Sequence, residues 1–278
     1  MEDRRSGESS IQRYVKTAFA CMIAVGLVLT ASRHTFADAI PPAPGTVETY
    51  TSQNGKYAVE IKILGYPDSS PCECTFKESG DISWTKEIPD TPNKVVISDN
   101  GETIAMTNWG WYDEGGSRSL SIYNKRGDLI KELSFGFTGM NNWGLKWVKV
   151  LAISPDGSYC MVGEDAEEKA VFSLYDCRTG ELKWERGYGF SEASEAEIQE
   201  AGRYLLVATN DYSTRDMFFF LLDREGVTLW EKRIAKNFSW DVQDYLRFMD
   251  NGKEFAIFDL KSAKYITEPV PQEQKARL

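Results

Sequence analysis

Histidine is almost absent from this chain. The one copy among 278 residues, His34, lies in an N-terminal segment that reads as a leader, so residues 40–278 hold none. That absence excludes Ser-His-Asp and Cys-His nucleophile systems, His-ligated zinc and His general bases together. Cysteine is scarce as well, with five copies and no C-x-x-C spacing. Cys72-Glu73-Cys74 is too short for a redox or zinc half-site, and no metal is assigned. Long apolar runs are missing too: Ala18–Ala31 spans 14 residues, short of the roughly 20 that a membrane-crossing helix needs. Nor is there an excess of basic charge. Of 32 Lys/Arg and 42 Asp/Glu, five and four fall in residues 1–39, which leaves 27 against 38, a balance of −11. Such a surface argues against nucleic acid, whose binding needs phosphate neutralisation.

What is present begins with an address label. Arg4, Arg5, Arg13 and Lys16 precede the apolar run, and Ala37-Asp38-Ala39 supplies a small-residue cleavage site. Residues 1–39 are therefore expected to be a signal peptide, cut after Ala39, which sends the chain to the periplasm or outside the cell. Residues 40–45 form a Pro-rich spacer, 46–268 a single β domain, and 269–278 a polar tail. The mature chain has no membrane span. It keeps Cys72, Cys74, Cys160 and Cys177, an even count that suggests disulfides in an exported protein. Cys160–Cys177 is the expected bridge, a free buried Cys160 being the alternative.

The domain is repetitive. Turn glycines recur at Gly55, Gly101, Gly157, Gly202 and Gly252, at intervals of 46, 56, 45 and 50 residues. A second glycine follows the first four at Gly80, Gly127, Gly180 and Gly226, and four residues later stands Trp84, Trp184 or Trp230, with Lys131 the exception. Each unit reads as strand, tight turn, strand, variable loop, strand, tight turn, strand. Triple apolar runs such as Ile104–Met106 and Cys160–Val162 suit sheets buried on both faces. A Trp at a fixed repeat position is expected to pack between neighbouring units. The fifth unit has strands from about Tyr245, at Phe255–Leu260 and at Lys264–Thr267, and lacks a fourth.

Ser154-Pro155-Asp156-Gly157 followed by an apolar strand resembles a WD40-type repeat. Leu174 to Trp184, LYDCRTGELKW, resembles a quinoprotein-type (PQQ-like) blade with its docking tryptophan. The resemblance covers Thr46 to Ile266 and implies an all-β fold, a small β-propeller of about five blades, four complete and one truncated. Either the five blades close a ring or the arc stays open with another chain over its edge; the closed ring is favoured. The adjacent cysteine pair of the quinoprotein dehydrogenases is absent, so their cofactor is not carried over and none is assigned.

In this strand order the d–a and b–c loops share one face, opposite the tight turns. That loop face holds the aromatic residues that break the repeat: Trp109, Trp111 and Tyr112 beside Asp113, then Trp143, Tyr188, Tyr212 and Trp240. Aromatics on loops of a rigid scaffold suit a protein, glycan or small-molecule partner, and a binding or scaffolding module without turnover is the leading reading. Trp109, Trp111 and Trp143 plugging the mouth is the structural alternative. The second functional reading is a glycoside hydrolase or lyase, drawing on carboxylates such as Asp165, Asp211, Asp216, Glu48 and Glu197 around the channel.

Overall fold

The computed structural model describes residues 43–65, 71–109, 117–134, 147–166, 169–189, 192–211, 213–239, 245–249 and 252–271. The expected signal peptide, residues 40–42 of the spacer and residues 272–278 of the tail lie outside them. Apolar runs punctuated by glycine turns build five antiparallel meanders. The first is β1 (Val47–Thr51), β2 (Tyr57–Ile63), β3 (Cys72–Glu78) and β4 (Asp81–Ile88). The second is β5 (Pro92–Ile97), β6 (Thr103–Trp109), β7 (Ser117–Asn124) and β8 (Leu129–Ser134). The third is β9 (Trp147–Ile153), β10 (Tyr159–Ala166), β11 (Lys169–Asp176) and β12 (Leu182–Gly189). The fourth is β13 (Glu192–Ile198), β14 (Tyr204–Asp211), β15 (Asp216–Asp223) and β16 (Thr228–Ile234). The fifth has three strands among the described residues, β17 (Leu246–Met249), β18 (Glu254–Asp259) and β19 (Lys264–Pro269).

Four apolar cores join the five sheets in sequence order. Val59, Ile61 and Phe76 meet Ile97, Ile104 and Met106; Leu120 and Ile122 meet Val148, Cys160 and Val162. Phe172 and Leu174 then meet Leu205 and Val207, and Phe219 and Leu221 meet Phe255 and Ile257. The triple apolar runs of β6, β10 and β14 are buried on both faces for this reason.

The tight turns interlock each sheet with the next. Asn54 Nδ2 donates to the Asp99 carbonyl at 2.7 Å, Asn100 Nδ2 to the Asp156 carbonyl at 2.7 Å, and Gln199 Nε2 to the Gly252 carbonyl at 2.9 Å. Gly101 has φ +71° and lies under the Tyr57 ring, where a Cβ would sit 2.5 Å from a ring carbon. Glycine is required there twice over, by the turn and by the contact. The d strands add a second interlock. Trp84 Nε1 donates to the Lys125 carbonyl and Trp184 Nε1 to the Arg224 carbonyl, both at 2.8 Å. Two residues on, Lys86 donates to the Gly127 carbonyl and Arg186 to the Gly226 carbonyl. In β8 the exceptional Lys131 lays its stem over Gly180, in the place a tryptophan takes elsewhere.

Two expectations are corrected. The first sheet does not pack its second face. Register puts Thr49, Glu60, Thr75 and Thr85 together on that face, with Lys62, Glu73 and Lys77 beside them. There Lys77 pairs with Glu60 at 2.6 Å, Lys62 with Glu73 at 4.0 Å, and the Thr75 and Thr85 hydroxyls meet at 3.1 Å. β2 alternates apolar and polar where β6, β10 and β14 do not, which is the pattern of a sheet wet on one side. The described sheets thus form an open series, not the favoured closed ring. The Cys160–Cys177 bridge is also not formed. Both are free thiols, 0% and 1% exposed. The hydrogen bond to Cys160, then burial, raises the Cys177 pKa, so the thiolate that disulfide exchange needs is suppressed.

Candidate functional site

At the loop end of the inner strands the repeat carries a deliberate irregularity. Pro92 pairs with Asn108 and Lys94 with Thr107, leaving Asn93 as an extra residue in β5. In β9 the extra residue is Lys149, between pairs Val148–Glu164 and Val150–Gly163; in β13 it is Ser194. Such bulges re-aim side chains at the mouth of a β structure. Here they bring four charged groups into succession across three sheets: Lys94, Lys149, Asp165 and Glu192.

Lys149 Nζ lies 3.9 Å from Asp165 Oδ2, and the Ala193 amide donates to Asp165 Oδ1 at 2.8 Å. Asp165 is hydrogen-bonded to Glu192 as well. Burial pushes its carboxyl up to about 7, and Glu192 adds to the shift against the Ala193 amide and Lys149. Lys94 moves the other way. Burial first, and the charge on Lys149 second, lower its ammonium to about 8. Around this row are buried polar atoms with no hydrogen-bond partner among the described residues: Thr107 Oγ1, Thr209 Oγ1 and Asn210 Nδ2. Thr107 is the cross-strand partner of Lys94, Thr209 of Ala193 and Asn210 of Glu192.

The aromatic residues picked out by the sequence fare unevenly. Trp109 ends β6, paired with Ser117. Trp111, Tyr112, Asp113, Trp143, Tyr212 and Trp240 lie outside the described residues. Trp109 and Trp147 nevertheless bound the two long loops, and they adjoin Asn108 and Val148, so those loops spring from the charged row. Tyr188 is not in a loop. It sits in β12, with its ring 5.9 Å from Phe172 and 4.5 Å from Phe220, packed between the third and fourth sheets. Among the carboxylates, Glu197 accepts the Phe248 amide at 2.7 Å and Glu195 the Tyr245 amide at 2.6 Å, which ties β17 to β13. Asp216 accepts the Arg233 guanidinium and the Lys236 amide, and Asp211 caps its own turn through Ser213. These are structural. Among the described residues no cluster of three or more metal-ligating side chains occurs. Sequence reasoning missed Lys94, Lys149 and Glu192. A lysine inside each of the apolar strands PNKVVI and WVKVLAI was the available signal.

No family model matches the chain, and no curated protein does. Solved structures do. A chain of Kuenenia stuttgartiensis hydrazine synthase superposes with a TM-score of 0.55 at 16% identity, over 80% of this chain and 57% of that one. The Dos1 propeller superposes with a TM-score of 0.51 at 9% identity, over 79% of this chain and 59% of that one. The fold is a β-propeller. The propeller here spans less than two thirds of the length of either neighbour, and at these identities the likeness concerns fold alone.

Proposed function

We propose that this propeller is an exported, non-enzymatic binding or scaffolding module that receives a protein, glycan or small-molecule partner on its loop face. The observation that carries the reading is the group of buried polar atoms left over at the loop end. On the tight-turn end Asn54 and Asn100 are committed to the following sheet, as is the Gln199 Nε2, with only the Gln199 Oε1 left over. On the loop end Thr107, Thr209 and Asn210 are buried with polar atoms left over, which a bound partner would satisfy. The hydrolase reading is less well supported. Glycoside hydrolysis needs an acid and a base about 5–9 Å apart across the scissile bond, whereas Asp165 and Glu192 touch each other and Glu197 holds β17.

The test is capture from the exported fraction by the tagged full-length chain, alongside a glycan array. Trp111→Ala combined with Trp143→Ala should lower retention of whatever the wild type binds by at least about tenfold, as loss of hot-spot aromatics does. Equal retention by the double variant would overturn the loop-face assignment.

A further inference from the structure

The latches of the tight-turn end carry a chemical liability. Asn54 and Asn100 each precede a glycine, Gly55 and Gly101, and both asparagines are exposed. In such a pair the glycine nitrogen, unhindered by a side chain, can attack the asparagine side-chain carbonyl. We propose that Asn54 and Asn100 are deamidation sites that the folded turns protect, and that their conversion unlocks the seams on both sides of the second sheet. The step is balanced with water alone. The Gly55 nitrogen bonds to Asn54 Cγ, the Cγ–Nδ2 bond breaks, and the amide leaves with the glycine proton as ammonia. Water then opens the succinimide to aspartate or isoaspartate. Asn251, in the third Asn-Gly pair of the chain, lies outside the described residues.

Protection comes from the turn itself. The attacking N–H groups are already engaged, Gly55 with the Ser52 carbonyl and Gly101 with the Ser98 carbonyl, both at 2.9 Å. The leaving amides are engaged too, since each Nδ2 donates across the seam at 2.7 Å. Conversion therefore requires the turn to open first.

Dependence on the amide follows from what each atom does. Oδ1 of Asn54 accepts the Ser52 hydroxyl and the Lys56 amide, and Oδ1 of Asn100 accepts the Ser98 hydroxyl and the Glu102 amide. A carboxylate would keep those bonds. It would lose the Nδ2 donation and aim an oxygen at the Asp99 or Asp156 carbonyl instead. At Asn54 it would also add a like charge beside Asp99, whose Oδ1 accepts the Asn54 main-chain amide at 2.8 Å. The third seam is the counter-example within the same chain. The equivalent residue there is Asp156, and its carboxylate accepts the Ala201 amide of the next sheet. That seam offers a donor to an acid, whereas the first two offer a carbonyl to an amide. An acid at position 54 or 100 has the wrong polarity for its socket.

The experiment incubates the full chain at about pH 8, folded and in urea, and maps aspartate and isoaspartate by peptide mass spectrometry. Asn54 and Asn100 should convert at least about tenfold more slowly in the folded protein than in urea, because only the open turn reacts. Asn54→Asp and Asn100→Asp should each lower the urea midpoint at pH 7. As pH falls through about 4 the new carboxyl gains a proton and can donate to the facing carbonyl, so the deficit against wild type should shrink. Asn54→Ala and Asn100→Ala, which lack that proton, should show no such recovery. Equal conversion rates in the folded protein and in urea overturn the protection. Wild-type midpoints at pH 7 for both aspartate variants, or the same pH dependence in the alanine and aspartate variants, overturn the latch. The protection arm uses the wild-type chain alone, so it stands even where a variant does not fold.

Discussion

Trp184 shows how one side chain holds two sheets. Its indole lies against Gly226, where a Cβ would come within 2.9 Å of the ring, and its N–H is satisfied by the Arg224 carbonyl at 2.8 Å. Trp184→Ala removes both the apolar contact and the hydrogen bond. It should cost about 3 kcal/mol, at the lower end for buried aromatics because the ring is half-buried. Gly226→Ala should lower stability as well, because φ +80° strains an L-residue and the new methyl meets the indole. Denaturant midpoints for both variants check this, and an unchanged midpoint for Trp184→Ala would remove the docking role. Asp165 makes a different prediction. Its folded pKa, about 7, lies above the unfolded value, so between pH 4 and 7 the folded state binds the extra proton. Stability from this group is therefore full below about pH 4 and falls as pH rises through 7, by on the order of 2–4 kcal/mol in total. Melting temperatures at pH 5 and pH 8 should differ in that sense. Asp165→Asn, which keeps an acceptor for the Ala193 amide and a donor for Glu192, should flatten the difference.

Among the strands, the legible features were those that every sheet shares. Turn glycines and docking tryptophans announced the meanders, because positive φ and inter-sheet contact allow so few residue types. The interval from Gly55 to Gly101 needed no structure to read. The bulges in β5, β9 and β13 were not legible, since Asn93, Lys149 and Ser194 have nothing in common chemically; only their register does. Tyr188 misled for a related reason: β12 runs on to Gly189, so a residue assigned to a loop is the last ring of a strand that packs on Phe220. The cysteines extend the same point. Cys72 and Cys74 share a face of β3 and burial raises both thiols to about 12, while Cys160 and Cys177 are sealed in the core between the second and third sheets. An Ellman titration of the native protein should find these four thiols silent over minutes and all four reactive in guanidinium. Rapid reaction of any of them in the native state would contradict the packing.

The polar outer face of the first sheet decides what kind of assembly this is. Thr75, Ser121, Ser173 and Phe220 occupy one equivalent position, each next to the residue that pairs with the docking side chain of its d strand. Ser121 and Ser173 are 3% exposed, closed over by the preceding sheet, whereas Thr75 bonds to Thr85 in the open. The repeat alone could not separate these cases, because the same position is polar in three of the four sheets. What separates them is the charged company of Thr75, the Lys77–Glu60 and Lys62–Glu73 pairs, which a closed ring would have to bury against the fifth sheet at the desolvation cost of each ion. Equivalent substitutions therefore have unequal effects. Thr75→Glu should change stability by no more than about 0.5 kcal/mol, as at an ordinary surface site. Ser173→Glu should cost on the order of 3 kcal/mol or unfold the domain, because it places a charge in the seam beside Glu185, to which Ser173 donates at 3.4 Å. Paired urea melts of the two variants read the difference directly. A comparable loss in both would mean that a fifth sheet, or a second chain, closes over the first.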